Sequence, residues 1–283
     1  MKKLLYFFGI LLCLGSVSAA QARSVDFSGF SWQIRTEAGF PGPNTWGDNA
    51  KEVFVDSTGR LHLLVSIQNG QWHSTEVYLD KSLGYGQYIF DIDSAVDKLD
   101  TNLVASPFLY QDDSHEIDIE YSYWQIPKSP NLHFSAQPYL VKGNIKSFNV
   151  NLDPGTTRNI IDWQPNKILF STVQNNEIIA NYEYTGSNNF NPGKEQLHFN
   201  FWQINGSAPL NKTTNEFIIK NFSFIPYGSD LAVAPPTPLI SSTPVVIDQT
   251  PAAVQQKPVV ENSAPAPVEK KRHHRHNKKS HRR

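Results

Sequence analysis

The chain has 283 residues, 39% of them hydrophobic and 18% charged, enough for one large domain or two small ones. Its formal net charge of −1 conceals two opposed populations: residues 23–229 carry 14 Lys and Arg against 22 Asp and Glu, whereas Glu269 to Arg283 carry eight against one. A net of −8 argues against specific nucleic-acid binding by the larger part, and a single cysteine excludes a disulfide framework.

Residues 1–22 read as an export signal: a basic start at Lys2 and Lys3, an apolar run from Leu4 to Leu14, and a small-residue cleavage site at Ala20-Gln21-Ala22. The mature chain then begins near Arg23 in the periplasm or outside the cell. The apolar run is too short to span a bilayer, and nothing later reaches about 18 apolar residues, so no transmembrane segment is expected. Cys13 leaves with the signal, which rules out a thiol nucleophile and a cysteine-based zinc site in the mature protein.

From Phe27 to Phe224 the texture is short β-rich runs between turn clusters. The runs fall at Glu52–Val55, Leu61–Ile67, Ser74–Asp80, Gly86–Asp91, Leu103–Tyr110, Glu116–Tyr123 and Leu132–Pro138. They continue at Lys146–Leu152, Asn159–Trp163, Lys167–Thr172, Ile178–Tyr184, Leu197–Gln203 and Glu216–Phe224. Turn chemistry separates them at Asp56-Ser57-Thr58-Gly59, Asn69-Gly70, Asp153-Pro154-Gly155 and Asn191-Pro192-Gly193, and only Ala95–Leu99 suggests a helical turn. Thirteen short strands imply an all-β fold of two stacked antiparallel sheets, one domain over residues 23–228.

The most informative run is His115-Glu116-Ile117-Asp118-Ile119-Glu120-Tyr121. Strand alternation puts Glu116, Asp118 and Glu120 on one face while Ile117, Ile119 and Tyr121 enter the core. The α-carbons of Glu116 and Glu120 then lie about 13 Å apart, a gap that two leaning glutamates can narrow towards the roughly 5–5.5 Å of a retaining glycosidase. Taken alone the pattern also fits an acidic solvent face or a calcium site. Three neighbouring carboxylates repel one another unless something uses them, and Phe108, Tyr110, Tyr121, Tyr123 and Trp124 surround them. Aromatic faces with carboxylates are what a sugar cleft needs.

Glu116-Ile117-Asp118-Ile119-Glu120 resembles the signature of the family-16 glycoside hydrolases. Leu83-Gly84-Tyr85-Gly86-Gln87-Tyr88, Ile161-Asp162-Trp163-Gln164-Pro165 and His198-Phe199-Asn200-Phe201-Trp202 are similar to three further motifs of that family, in the same order. The resemblance implies a concanavalin A-like jelly roll and an endo-acting β-glycanase, with a β-glucan as the default polysaccharide. It makes Glu116 the nucleophile, Glu120 the general acid/base and Asp118 the residue that tunes the nucleophile. Asn200 and Trp202 would line the same cleft, and Trp124, His133 and Gln137 are the next candidates for sugar contacts. An ordinary polar strand position is the other reading of His133. Trp163 reads better as a core residue than as a cleft residue. Asn221 stands where many members carry an Asp that helps bind a structural calcium ion, so no cofactor is expected. A non-catalytic, lectin-like envelope protein is the alternative function, and a sandwich that merely presents the tail is a third.

Residues 229–268 form a Pro/Ala-rich spacer, and residues 230–283 contain no Phe, Tyr or Trp with which to bury apolar surface. The C-terminal tail is therefore expected to be disordered. Residues 269–283, with four His beside eight Lys and Arg, suit an anionic envelope surface or loose capture of a transition metal, the plain alternative being a solvated basic end with no specific ligand.

Overall fold

The computed structural model describes residues 23–230. The expected export signal, and the tail beyond residue 230, lie outside them. Sixteen strands run in chain order: β1 (Ser24–Phe27), β2 (Phe30–Ile34), β3 (Val53–Val55), β4 (Leu61–Gln68), β5 (Gln71–His73), β6 (Thr75–Tyr78), β7 (Gly86–Ile92) and β8 (Leu103–Asp112). The second half is β9 (His115–Tyr121), β10 (Leu132–Ala136), β11 (Ile145–Phe148), β12 (Thr157–Gln164), β13 (Lys167–Gln174), β14 (Glu177–Tyr184), β15 (Gln196–Gln203) and β16 (Asn215–Pro226). Each of the thirteen expected runs overlaps one of these, the poorest match being Lys146–Leu152 against β11. The helical turn expected at Ala95–Leu99 is a single 3-10 turn, Val96–Lys98.

The strands form two antiparallel sheets, ordered β1-β2-β6-β15-β8-β9-β10-β11 and β14-β13-β12-β7-β16-β4-β3, with β5 paired to β4. This is the jelly-roll sandwich, in which strands far apart in sequence become neighbours. Alternation explains the core: Ile117, Ile119 and Tyr121 of β9 and Leu197, Phe199 and Phe201 of β15 point inward from the first sheet and are wholly buried. They meet the aromatics of the second sheet. Phe134 stacks on Phe170 at 5.3 Å, and Phe199 packs edge-on against Phe90 at 5.6 Å. Trp163 is fully buried in this core, as the sequence suggests, and Trp32 lies there too.

The glycines of the Gly84-Tyr85-Gly86 motif are there for backbone reasons. Gly84 has φ +79°, and a Cβ on Gly86 would lie 2.4 Å from the Ile225 carbonyl oxygen across the β7–β16 pair.

One polar bond ties the sheets together behind the carboxylate strand. The buried Tyr121 hydroxyl donates to Asn159 Oδ1 on β12 at 2.7 Å, and Thr172 Oγ1 donates to the same oxygen. Tyr121→Phe is expected to lower stability by about 1 kcal/mol, read from denaturant unfolding.

Candidate active site

Strand β9 takes its register from a tight turn. Asp112 Oδ1 accepts the Ser114 backbone N–H at 3.0 Å and meets His115 Nδ1 at 2.7 Å, while β8 bulges between Tyr110 and Asp112. That bulge sets Glu116 opposite Tyr110 and Asp118 opposite Phe108. With the odd positions of β9 in the core, Glu116, Asp118 and Glu120 all project from the outer face of the first sheet. Glu116 and Glu120 are half-buried and Asp118 is 3% exposed.

Strand β10 immobilises the middle carboxylate. Ser135, directly opposite Asp118, donates its hydroxyl to Asp118 Oδ2 at 2.7 Å, and Gln137 Nε2 donates to the same oxygen at 3.1 Å. Gln137 is itself fixed, its Oε1 accepting the Tyr139 N–H and its own N–H bonding the Glu116 carbonyl. The side chain expected to touch sugar is thus placed as a brace between Asp118 and the next loop.

His133 lies opposite Glu120 in register and is 2% exposed. Its Nε2–H donates to the Ser122 carbonyl at 3.0 Å, which leaves Nδ1 to accept the Ser147 hydroxyl at 2.8 Å. Both ring nitrogens are therefore committed to the protein. Burial pushes the imidazole down to about 4 from 6.5. Below pH ~6.5 the unfolded chain takes up a proton that the native ring refuses until about pH 4, so stability falls as pH falls through that window. The total from this group is roughly 3 kcal/mol. In thermal melts from pH 7 to 4, His133→Gln is expected to flatten part of the decline seen in the wild type; parallel curves would contradict the buried neutral imidazole.

Trp124 follows the triad in a turn with φ +51°, a backbone region that bulky residues rarely occupy. The turn is held by a hydrogen bond from the Trp124 N–H to Ser122 Oγ, and it sets the indole 6.0 Å from the His133 ring and 6.1 Å from Trp202. Trp202, Trp46, Val104 and Ile204 form a second apolar cluster against which Trp124 packs. Trp124 and Trp202 thus share one aromatic wall on the face that carries the carboxylates.

On β15, His198, Asn200 and Trp202 share the outer face, with His198 opposite Phe108 and Asn200 opposite Ser106. On the other side of β15, Glu76 of β6 lies opposite Asn200. Glu76 is 3% exposed, accepts from His198 Nδ1–H at 2.9 Å and pairs with Arg35 at 2.9 Å. Burial opposes its charge, but His198 and Arg35 outweigh that effect and hold the carboxyl below its ordinary value. The Arg35 guanidinium also lies 4.3 Å from the Trp46 ring centroid.

The sequence did not single out Glu76 or Arg35. Alternation in the run Ser74–Asp80, with Val77 and Leu79 inward, was the available signal for Glu76. Asn221, at the expected calcium position, lies beside the β16 bulge and accepts the Ser28 hydroxyl at 3.3 Å. Among the described residues no three acidic or histidine side chains are grouped so as to hold a metal ion, and no helix there is long and apolar enough to cross a membrane.

No protein-family model and no curated protein sequence matches the chain. Solved structures do. A native glycosidic hydrolase aligns over 75% of this chain and 99% of its own, with TM-score 0.55 and 20% identity. A laminarinase from Flavobacterium sp. UMI-01 aligns over 68% of this chain and 92% of its own, with TM-score 0.53 and 16% identity. A family-16 endo-glucanase from Bacteroides ovatus aligns over 69% and 94%, with TM-score 0.51 and 16% identity. The jelly roll of this chain is that of the family-16 glucanases.

Proposed function

We propose that this chain, with the fold of the family-16 glycoside hydrolases and the motifs of a divergent member, is an exported retaining β-glycanase that cuts within a polysaccharide. The observation that carries the reading is the arrangement on β9: three carboxylates on one outward face, the middle one pinned by Ser135 and Gln137, beside the Trp124–Trp202 wall. An acidic solvent face has no need of such bracing, nor of an aromatic wall. A β-glucan is the default substrate.

In this mechanism Glu116 attacks the anomeric carbon while Glu120 gives its proton to the departing glycosidic oxygen. The leaving chain carries that proton away, and a glycosyl ester on Glu116 remains. Glu120, now a carboxylate, takes a proton from an incoming water, which attacks the same carbon and returns Glu116 to its ionised form. Two inversions give net retention. Asp118, between the two, is held by Ser135 and Gln137 where it can share a hydrogen bond or proton with the nucleophile as its charge is lost and regained. Trp124 and Trp202 offer ring faces to the C–H faces of the sugar, and Asn200 an amide to its hydroxyls.

The test is release of reducing ends by the mature chain from laminarin, mixed-linkage glucan, xyloglucan, agarose and carrageenan. Internal cleavage of one polymer is the expected result. Binding with no cleavage would instead favour the lectin-like reading. The basic residues 269–283 suit retention on an anionic envelope surface through the 229–268 spacer. Such attachment should weaken steeply from low to moderate salt, and salt-independent attachment would argue for a specific ligand.

A further inference from the structure

Across the carboxylate-bearing face, Tyr78, His198 and Phe108 are opposite one another on β6, β15 and β8, and Phe108 is in turn opposite Asp118. The imidazole is the middle ring of a stack, 5.4 Å from Tyr78 and 4.8 Å from Phe108 with interplanar angles of 22° and 26°. Its faces are therefore covered, and any ligand must meet its edge. A carboxylate only accepts hydrogen bonds, so the contact with Glu76 places a proton on Nδ1, and in the neutral ring Nε2 is then a lone-pair acceptor. Arg35, on the far oxygen of Glu76, locks that carboxylate in place.

His198 Nε2 is buried and has no hydrogen-bond partner, and the same holds for Asn200 Oδ1, two residues along the same strand face. A buried acceptor without a donor destabilises a fold by about 1–3 kcal/mol. Two of them side by side, one with its tautomer set by a buried ion pair, are what a site costs when it is built for a donor from outside. Their α-carbons lie about 7 Å apart on an extended strand, a spacing that hydroxyls on one or two sugar rings can span. Tyr110 stands perpendicular to the imidazole at 6.1 Å, and since the ring faces are occupied it meets the edge.

We infer that His198 and Asn200 form an acceptor subsite beside the catalytic carboxylates. It takes two hydroxyl protons of an uncharged sugar, with Glu76 and Arg35 as its positioning residues. The inference rests on the glycan-binding reading above and narrows its substrate class. Toward this part of the cleft Glu76, Asn200 Oδ1, His198 Nε2 and the ionised carboxylates of β9 present acceptors. The cation among them, Arg35, is already matched by Glu76. Sulfate or carboxylate substituents bring acceptors and negative charge where donors are needed.

Affinity electrophoresis of the mature chain against the same five polymers, with His198→Phe and His198→Gln beside the wild type, tests this. Phenylalanine keeps the ring stack and removes the acceptor; glutamine returns an amide oxygen to about the reach of Nε2. The expected result is retention of the wild type by an uncharged polymer in preference to carrageenan, about tenfold weaker retention for His198→Phe, and recovery of most of the loss in His198→Gln. In hydrolysis the same substitutions should raise KM with kcat changed less than about twofold. Equal retention of all three proteins, or equal loss in both variants, overturns the acceptor role while leaving the glycanase reading intact. Preferential retention by carrageenan also overturns it. A wild type that neither binds nor cleaves any of the five overturns the glycan reading, and the subsite with it.

Discussion

Glu116→Gln is expected to lower turnover on the responsive polymer by roughly four orders of magnitude or more, with the melting temperature unchanged or slightly raised. The amide matches the carboxylate in shape but is a far weaker nucleophile, so the glycosyl ester no longer forms at a useful rate. The side chain is half-buried on the outer face, away from the core residues Ile117 and Ile119. Removing one carboxylate from this row also relieves repulsion along β9, which offsets any lost hydrogen bond. Reducing-end assays and thermal melts on the same preparation check both halves. Activity retained within tenfold would remove Glu116 from the nucleophile's role.

Glu120→Gln should behave differently. Without a proton donor, hydrolysis of the natural polymer is expected to fall about 10²–10⁴-fold. An aryl glycoside whose leaving group needs no proton should lose much less in its first step and accumulate the glycosyl enzyme. Azide needs no general base, so adding it should restore turnover and yield a glycosyl azide of retained configuration. Equal losses on polymer and activated substrate, with no effect of azide, would contradict the acid/base assignment.

The parts of this site that one strand determines were legible in the sequence. Alternation along His115–Tyr121 separates the three carboxylates from Ile117, Ile119 and Tyr121, and along Leu197–Gln203 it separates His198, Asn200 and Trp202 from three core residues; the structure has both divisions. Relations between strands were not legible. Glu76 meets His198 only because β6 pairs with β15, 122 residues further on. Nothing local in a Ser-Thr-Glu-Val run announces a buried ion pair. Trp46 lies in a stretch without strand or helical period, and what gives it a place is the cluster with Trp202 and the guanidinium of Arg35.

The strands missed were the short ones. β1 and β2 span four and five residues around Ser28-Gly29, and β5 spans three with a single apolar side chain, Trp72. Runs of that length carry too few alternations to stand out from turns. The register of β9 against β8 depends on a bulge at Gln111, between Tyr110 and Asp112, which a strict period of two does not predict. Gln137 and His133 were singled out for nearness to the triad. The structure gives that nearness a physical form, Gln137 bracing Asp118 and His133 filling both its nitrogens inside the sheet.

The most direct measurement of the central claim is covalent trapping. A 2-deoxy-2-fluoro aryl glycoside of the sugar that the polymer screen identifies slows breakdown of the glycosyl ester more than its formation. Peptide mass spectrometry after such treatment should find one added fluoroglycosyl group, on the peptide containing Glu116 and located at Glu116. An adduct on Glu120 or elsewhere, or a chain that turns over the natural polymer yet shows no adduct and no burst of released phenol, would contradict it.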